Sequence, residues 1–423
     1  MHLGRLGCAN TETTSVELAL SLYFLDLGEL NLRWNRTSLL AAGCVRGYIL
    51  ACDADESCLK VLKSHKHPPE HLVDNLLNFL TPACVNKCRS VIEGHRVRAE
   101  KSHKSLDKEK EKLKNISAKM KERQKHPESL EFPQLQKAKD SKQKQGLTEK
   151  IVAIQREVKD IGKSLIVTLV QVMSRKGLKK NVQTTDSSKA GTIDLDELAE
   201  LFKTREVFSL FCCGSVCKDW STMGNQKGFN GTYVLLCAIM FALVERVKPK
   251  ALLHECTERF PADIFEQVLN EYTDNHTIMQ CANFGAPVKR TRAYDFVVHK
   301  SFELQNGLND LGKLSSKCFL DSSIWLQSSD AEVQAYKKAL AHTAMKSAAS
   351  EWQDLLPASA FANLEYLHTR PWIQDSLKTS EVAANLDQNA KFQEHAGVQM
   401  PCILASVSHM WALRANRPFL PQD

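Results

Sequence analysis

The stretch from 206 to 255 constrains this chain most. Residues 206–211, Glu-Val-Phe-Ser-Leu-Phe, read as a buried strand that runs into Cys213-Gly214-Ser215 and then Val216-Cys217. A glycine-bearing loop follows, then an apolar helix over 233–245 and a second strand over 251–254 that ends on Glu255. This order belongs to α/β folds, whose open sheets take ligands outside the carboxyl ends of their strands. Cys217 and Glu255, two reactive residue types, thus stand at the ends of successive strands. The apolar run 233–244 is followed by Glu245 and is too short to span a bilayer, so it reads as a core helix with no membrane partner.

The amino-terminal part carries a weaker version of the same order. After a small polar segment at 7–11, apolar residues recur at helical spacing (Val16, Leu18, Leu20, Tyr23, Phe24, Leu27). Residues 47–52 form a short apolar strand that ends on Asp53-Ala54-Asp55, and 57–64 is helical again. From about 93 to 146 large apolar residues nearly vanish in favour of Lys, Glu, Gln and Ser, which predicts solvated helix or linker. A helical stripe returns over 148–173 through Ile151, Ile154, Val158, Ile161, Leu165, Leu169 and Val172. The net charge of +7 has one source: residues 95–146 hold 16 Lys/Arg against 8 Asp/Glu, a local +8 that leaves the remainder near neutral at −1. Fourteen cysteines, thinly spread and without a signal peptide at Met1, fit a reducing compartment better than a disulfide scaffold, and no metal is expected.

A reactive cysteine needs exposure and nearby positive charge, and Cys217 lies in a loop, Cys217-Lys218-Asp219-Trp220-Ser221, that opens onto Gly224 and Gly228. This block resembles motif IV of the cytosine-C5 DNA methyltransferases, with Cys217, Ser221, Gly224 and Gly228 in register. His254-Glu255-Cys256-Thr257, 38 residues beyond the cysteine, is similar to their Glu-Asn-Val motif, and 285–292, Gly-Ala-Pro-Val-Lys-Arg-Thr-Arg, to their Gly-x-Pro-Gln-x-Arg-x-Arg motif. Taken alone, a strand-end glutamate is commonly a surface residue, and two arginines at i, i+2 share one face of an exposed strand. Their order relative to Cys217 lifts them.

The resemblance implies a Rossmann-like, S-adenosylmethionine-dependent methyltransferase domain in two parts, 1–92 and 206–296. A long basic helical insertion at 93–205 separates them, a small target-recognition-like domain follows at 297–400, and 401–423 begins a returning segment. It also implies methylation of cytosine C5 in DNA on a flipped base, through a covalent Cys217 adduct. Glu255 would hold the proton at N3 of the ring, and Arg292, with Arg290 beside it, would face the O2 edge. Asp53 looks like the acid for the cofactor ribose and Asp74 like its adenine contact, with Asn10 in the first cofactor loop. Asn10 stands where the family has glycine, Val216 replaces a proline, Val288 a glutamine, and Cys256-Thr257 the pair Asn-Val. The family's last motif has no counterpart before Asp423, so a divergent, truncated copy is expected. Two other readings stay open: a catalytically inactive nucleic-acid-binding scaffold, and a tRNA-methylating relative. A DNA substrate implies a nuclear location.

Overall fold

The computed structural model describes residues 2–5, 47–48, 50–52, 56–64, 70–125, 133–185, 191–203, 209–215, 217–221, 224–283, 288–302, 321–343, 351–391, 396–401 and 409–420. The helix expected over 14–27, and the candidate residues Asn10 and Asp53, lie outside them. In chain order the first elements are strands β1 (His2–Arg5), β2 (Gly47–Tyr48) and β3 (Leu50–Cys52), helix α1 (Glu56–Ser64) and strand β4 (His71–Val73). Two 44-residue helices follow, α2 (Pro82–Lys125) and α3 (Pro133–Lys176), then β5 (Asn181–Gln183), β6 (Thr192–Asp194) and α4 (Leu195–Lys203). The chain then forms β7 (Ser209–Gly214), α5 (Val234–Val247) and β8 (Ala251–Cys256), succeeded by α6 (Ile264–Val268), β9 (Tyr272–Gln280), β10 (Val288–Lys289) and β11 (Thr291–His299).

A six-stranded sheet in the order β2-β1-β7-β8-β11-β9 organises these elements. β2, β1, β7 and β8 run parallel, and β11 pairs antiparallel with β8. Helix α5 is apolar on every side and buried almost throughout, as a helix enclosed by its neighbours must be. It ends where Lys248 takes a left-handed conformation (φ 46°) and Pro249 prevents continuation. β3 pairs only with β4 among the described strands, in parallel register Cys52↔Val73.

The insertion is helical from an earlier point than 93. Thr81 Oγ1 accepts the Cys84 N–H at 3.2 Å and Pro82 takes the first helical position, so a capped start launches α2 eleven residues sooner. α2 and α3 pack on each other through a narrow seam of Ala99, Ser102 and Leu106 with Leu147 and Ile151, all buried, and Ser102 donates to Glu157 Oε1 at 2.9 Å. Each helix is about 66 Å long at 1.5 Å per residue. Lysines such as Lys108, Lys110, Lys114 and Lys144 point to solvent.

The chain divides into two compact units, one of residues 1–276 with 293–305, the other of 277–292 with 306–423. The second contains helices α7 (Asp330–Thr343), α8 (Ala358–His368) and α9 (Pro371–Leu377) and short strands β12 (Ala383–Asn385), β13 (Ala396–Gly397), β14 (Met400–Pro401), β15 (Met410–Ala412) and β16 (Arg417–Pro418). Four of these strands form an antiparallel sheet, β13-β12-β15-β16, and β10 pairs with β14. Its core is built on Trp411, Leu364, Ile373 and Leu386. Glu381, buried there, accepts N–H bonds from Val382, Arg414 and Ala415 at 2.8–3.0 Å, which satisfies a carboxylate that burial would otherwise penalise. No helix among the described residues is long and apolar enough to cross a membrane.

Candidate active site

β7 and β8 lie side by side in parallel register with Gly214 opposite Glu255. The Ser215 N–H donates to the Glu255 carbonyl at 3.2 Å, extending the pairing one residue past the strand. A side chain at Gly214 would meet Glu255 Oε2 at 3.5 Å, so the carboxylate lies over the strand end that leads into Cys217. Cys217 opens a 3-10 turn, Cys217–Asp219, and its half-buried side chain packs against the main core.

The turn is closed tightly. The Cys217 carbonyl accepts from the N–H groups of Trp220 (2.9 Å) and Ser221 (2.7 Å), and the Asn225 N–H donates to the Lys218 carbonyl at 2.7 Å. Gly224 permits that approach, because a Cβ there would fall 1.9 Å from the Lys218 carbonyl oxygen. Asp219, fully buried, accepts the Tyr233 N–H at 2.9 Å at the start of α5. This ties the cysteine turn to the positive end of that helix. Trp220 packs edge-on to Phe229 (5.5 Å between centroids) and against Phe260 (5.1 Å), anchoring the turn from the core side.

Around these strand ends lies a small cavity lined by Cys52, Leu76, Phe211, Gly214, Ser215, Trp220 and Tyr233, among others. Asp74 follows β4 and accepts from Asn78 Nδ2 at 2.8 Å. Burial pushes the Cys256 and Cys237 thiols up, the latter to about 12, so both stay protonated near neutrality. Within the first unit the Glu255 carboxylate therefore lies beside the end of β7, three residues before Cys217. Arg290 and Arg292, both half-buried, belong to the second unit, where Arg292 Nη1 donates to the Thr291 carbonyl at 2.8 Å.

Sequence reasoning missed two features. One is Asp219 as the anchor of the turn. The other is a buried polar chain through Ser215, His254, Asp295 and His276. Its only sequence signal is that His254 and Asp295 interrupt otherwise apolar strands, and nothing in the sequence pairs them.

A profile of the C-5 cytosine-specific DNA methylases matches residues 171–400, more than half of the chain. The type II methyltransferase M.HhaI of Haemophilus parahaemolyticus is 26% identical over 113 residues, covering 25% of this chain and 35% of its own length. M.HpaII of Haemophilus parainfluenzae is 27% identical over 122 residues, covering 26% and 34%. The chain thus spans about a third of the length of the curated relatives it matches. Among solved structures, the S. pombe Dnmt2 methyltransferase aligns at 20% identity with a TM-score of 0.22, over 30% of this chain and 41% of that one.

Proposed function

The chain belongs to the C-5 cytosine-specific DNA methylase family, and from that premise we propose that it methylates C5 of cytosine in DNA with Cys217 as the nucleophile. The observation that carries the reading is the β7–β8 register, with the Glu255 carboxylate over the strand end that delivers Cys217. The Cys217 thiolate adds to C6 of a base turned out of the duplex. Glu255 holds a proton at N3 as electron density moves there, and the family resemblance makes Arg292, with Arg290, the candidate for the O2 edge.

S-adenosylmethionine would supply an electrophilic methyl group when bound. Two wall residues of the small apolar cavity neighbour the candidate holders in sequence: Cys52 directly precedes Asp53, and Leu76 lies two residues past Asp74. Asp53 would take the ribose hydroxyls, Asp74 the adenine edge, and Asn10 the first loop. The basic hairpin of α2 and α3 supports phosphate contact, with 24 Lys/Arg against 12 Asp/Glu over 82–176.

The test is transfer of a radiolabelled methyl group to duplex DNA and, in parallel, to tRNA. Label in the DNA at C5 of cytosine, lost in Cys217→Ser, supports the reading. Label confined to tRNA moves the substrate to RNA, and no label from folded protein on either supports a non-catalytic role.

A further inference from the structure

Replacing hydrogen by methyl at a ring carbon releases one proton per turnover, and that proton needs an acceptor and a way out. The first unit contains one continuous hydrogen-bonded chain that begins at the candidate site. Ser215, two residues before Cys217, lines the cavity beside Gly214 and Trp220. Its Oγ is 2.8 Å from His254 Nε2, His254 Nδ1 is 2.9 Å from Asp295 Oδ2, and Asp295 Oδ1 is 2.6 Å from His276 Nδ1. His254 and Asp295 are completely buried, whereas the His276 side chain is 34% exposed.

The directions follow from chemistry. An ionised Asp295 only accepts, so both imidazoles turn Nδ1–H toward it, leaving His254 Nε2 to accept the Ser215 hydroxyl proton. Strand register fixes the spacing, since His254 on β8 is the direct partner of Asp295 on β11. Phe260 and Phe265 pack on the His254 ring at 4.5 and 5.2 Å and keep water from its faces. Asp274, on the same strand as His276, is pushed up to about 8 by burial and by the charges of Asp295 and Glu266. A buried polar set of this size costs stability unless every member is satisfied, and a plain strand core has no use for it.

We propose that Ser215 and His254 take up the proton lost in the methylation reaction, with Asp295 and His276 positioning His254, a role that rests on the cytosine-methylase reading above. When the C5–H bond breaks, its electron pair forms the C5=C6 double bond, and the C6–S bond breaks with its pair returning to Cys217. The proton passes to Ser215 Oγ as the serine's own proton moves to His254 Nε2. The imidazolium is stabilised by the Asp295 carboxylate, which His276 Nδ1–H holds from its other oxygen, and after the product leaves the proton returns from His254 Nε2 through Ser215 Oγ to water. Asp295 begins and ends as a carboxylate.

The test separates adduct formation from proton loss. Two substrates are used: duplex DNA carrying tritium at C5 of cytosine, with release into water followed, and duplex DNA carrying 5-fluorocytosine, which has no C5 proton and stops at the covalent adduct. Ser215→Ala cuts the chain at its site end with the least change in packing, Ser215→Thr restores the hydroxyl, and His254→Gln cuts it in the middle. Ser215→Ala and His254→Gln should release tritium at least tenfold more slowly while forming the fluorinated adduct within about twofold of the wild-type rate, and Ser215→Thr should recover release. Release unchanged in Ser215→Ala, or falling in step with adduct formation, overturns the relay while leaving the methylase reading intact. A wild-type protein that forms no fluorinated adduct overturns that reading, and the relay with it.

Discussion

Gly231→Ala should loosen the turn that carries Cys217, although the two positions are fourteen residues apart. A Cβ at Gly231 would fall 2.1 Å from both Cγ and Oδ2 of Asp219 and 2.4 Å from Oδ1. The carboxylate must therefore retreat by about 1 Å or more to reach ordinary contact distance, which breaks its 2.9 Å bond to the Tyr233 N–H. A hydrogen bond to a charged group contributes about 1.5–3 kcal/mol, and the favourable charge at the start of α5 adds about 0.5–1 kcal/mol. The loss is then about 3 kcal/mol, which lowers the melting temperature of a unit of this size by roughly 6–12 °C. Thermal unfolding measures it, with Asp219→Ser as partner in a double-mutant cycle. Because the serine makes room for the methyl group, Gly231→Ala should cost far less in the Asp219→Ser background. A melting temperature within about 1 °C of wild type, or simple additivity in the cycle, refutes this placement of Asp219.

Three further outcomes follow from the same geometry. Asp274, ordinarily near 3.8 and pushed to about 8 by burial, keeps in the folded state a proton that the unfolded chain has lost. Stability should therefore be complete below pH 4 and fall as pH rises toward 8, by about 2 kcal/mol after solvent screening, and Asp274→Asn should flatten that fall in denaturant titrations. Glu255→Gln should lower single-turnover methyl transfer by about a hundredfold or more while leaving DNA affinity within a few-fold, since the carboxyl acts on the ring and not on the duplex. Lys108→Gln with Lys110→Gln and Lys114→Gln should weaken DNA binding and reduce the slope of log affinity against log salt by up to about 2.7, and an unchanged slope assigns these lysines to solvent alone.

The strand, loop, helix and strand of 206–255 were legible because each has its own period and sharp stops. Ser209–Gly214, Val234–Val247 and Ala251–Cys256 fall within a few residues of their expected bounds. The positions of Cys217, three residues past β7, and of Glu255, near the end of the adjacent parallel strand β8, were legible for the same reason. The hairpin was half legible. Its seam is made of small residues such as Ala99 and Ser102, which give little hydrophobic signal, and its capped start at Thr81 lies upstream of the change in composition. The Ser215–His254–Asp295 chain was invisible, because residues 39 and 41 apart meet only through strand register and a period read along one strand says nothing of its neighbour. Asp219 escaped for a related reason: its partner is a backbone N–H at the start of a helix that follows a loop.

Peptide mapping of the covalent complex tests the central claim most directly. The protein is incubated with S-adenosylmethionine and duplex DNA containing 5-fluorocytosine, digested, and the modified peptide located by mass spectrometry. The predicted result is nucleotide attached at Cys217 and at no other cysteine, and absent from Cys217→Ser. Attachment at a different cysteine, or a folded protein that yields no adduct at all, contradicts it.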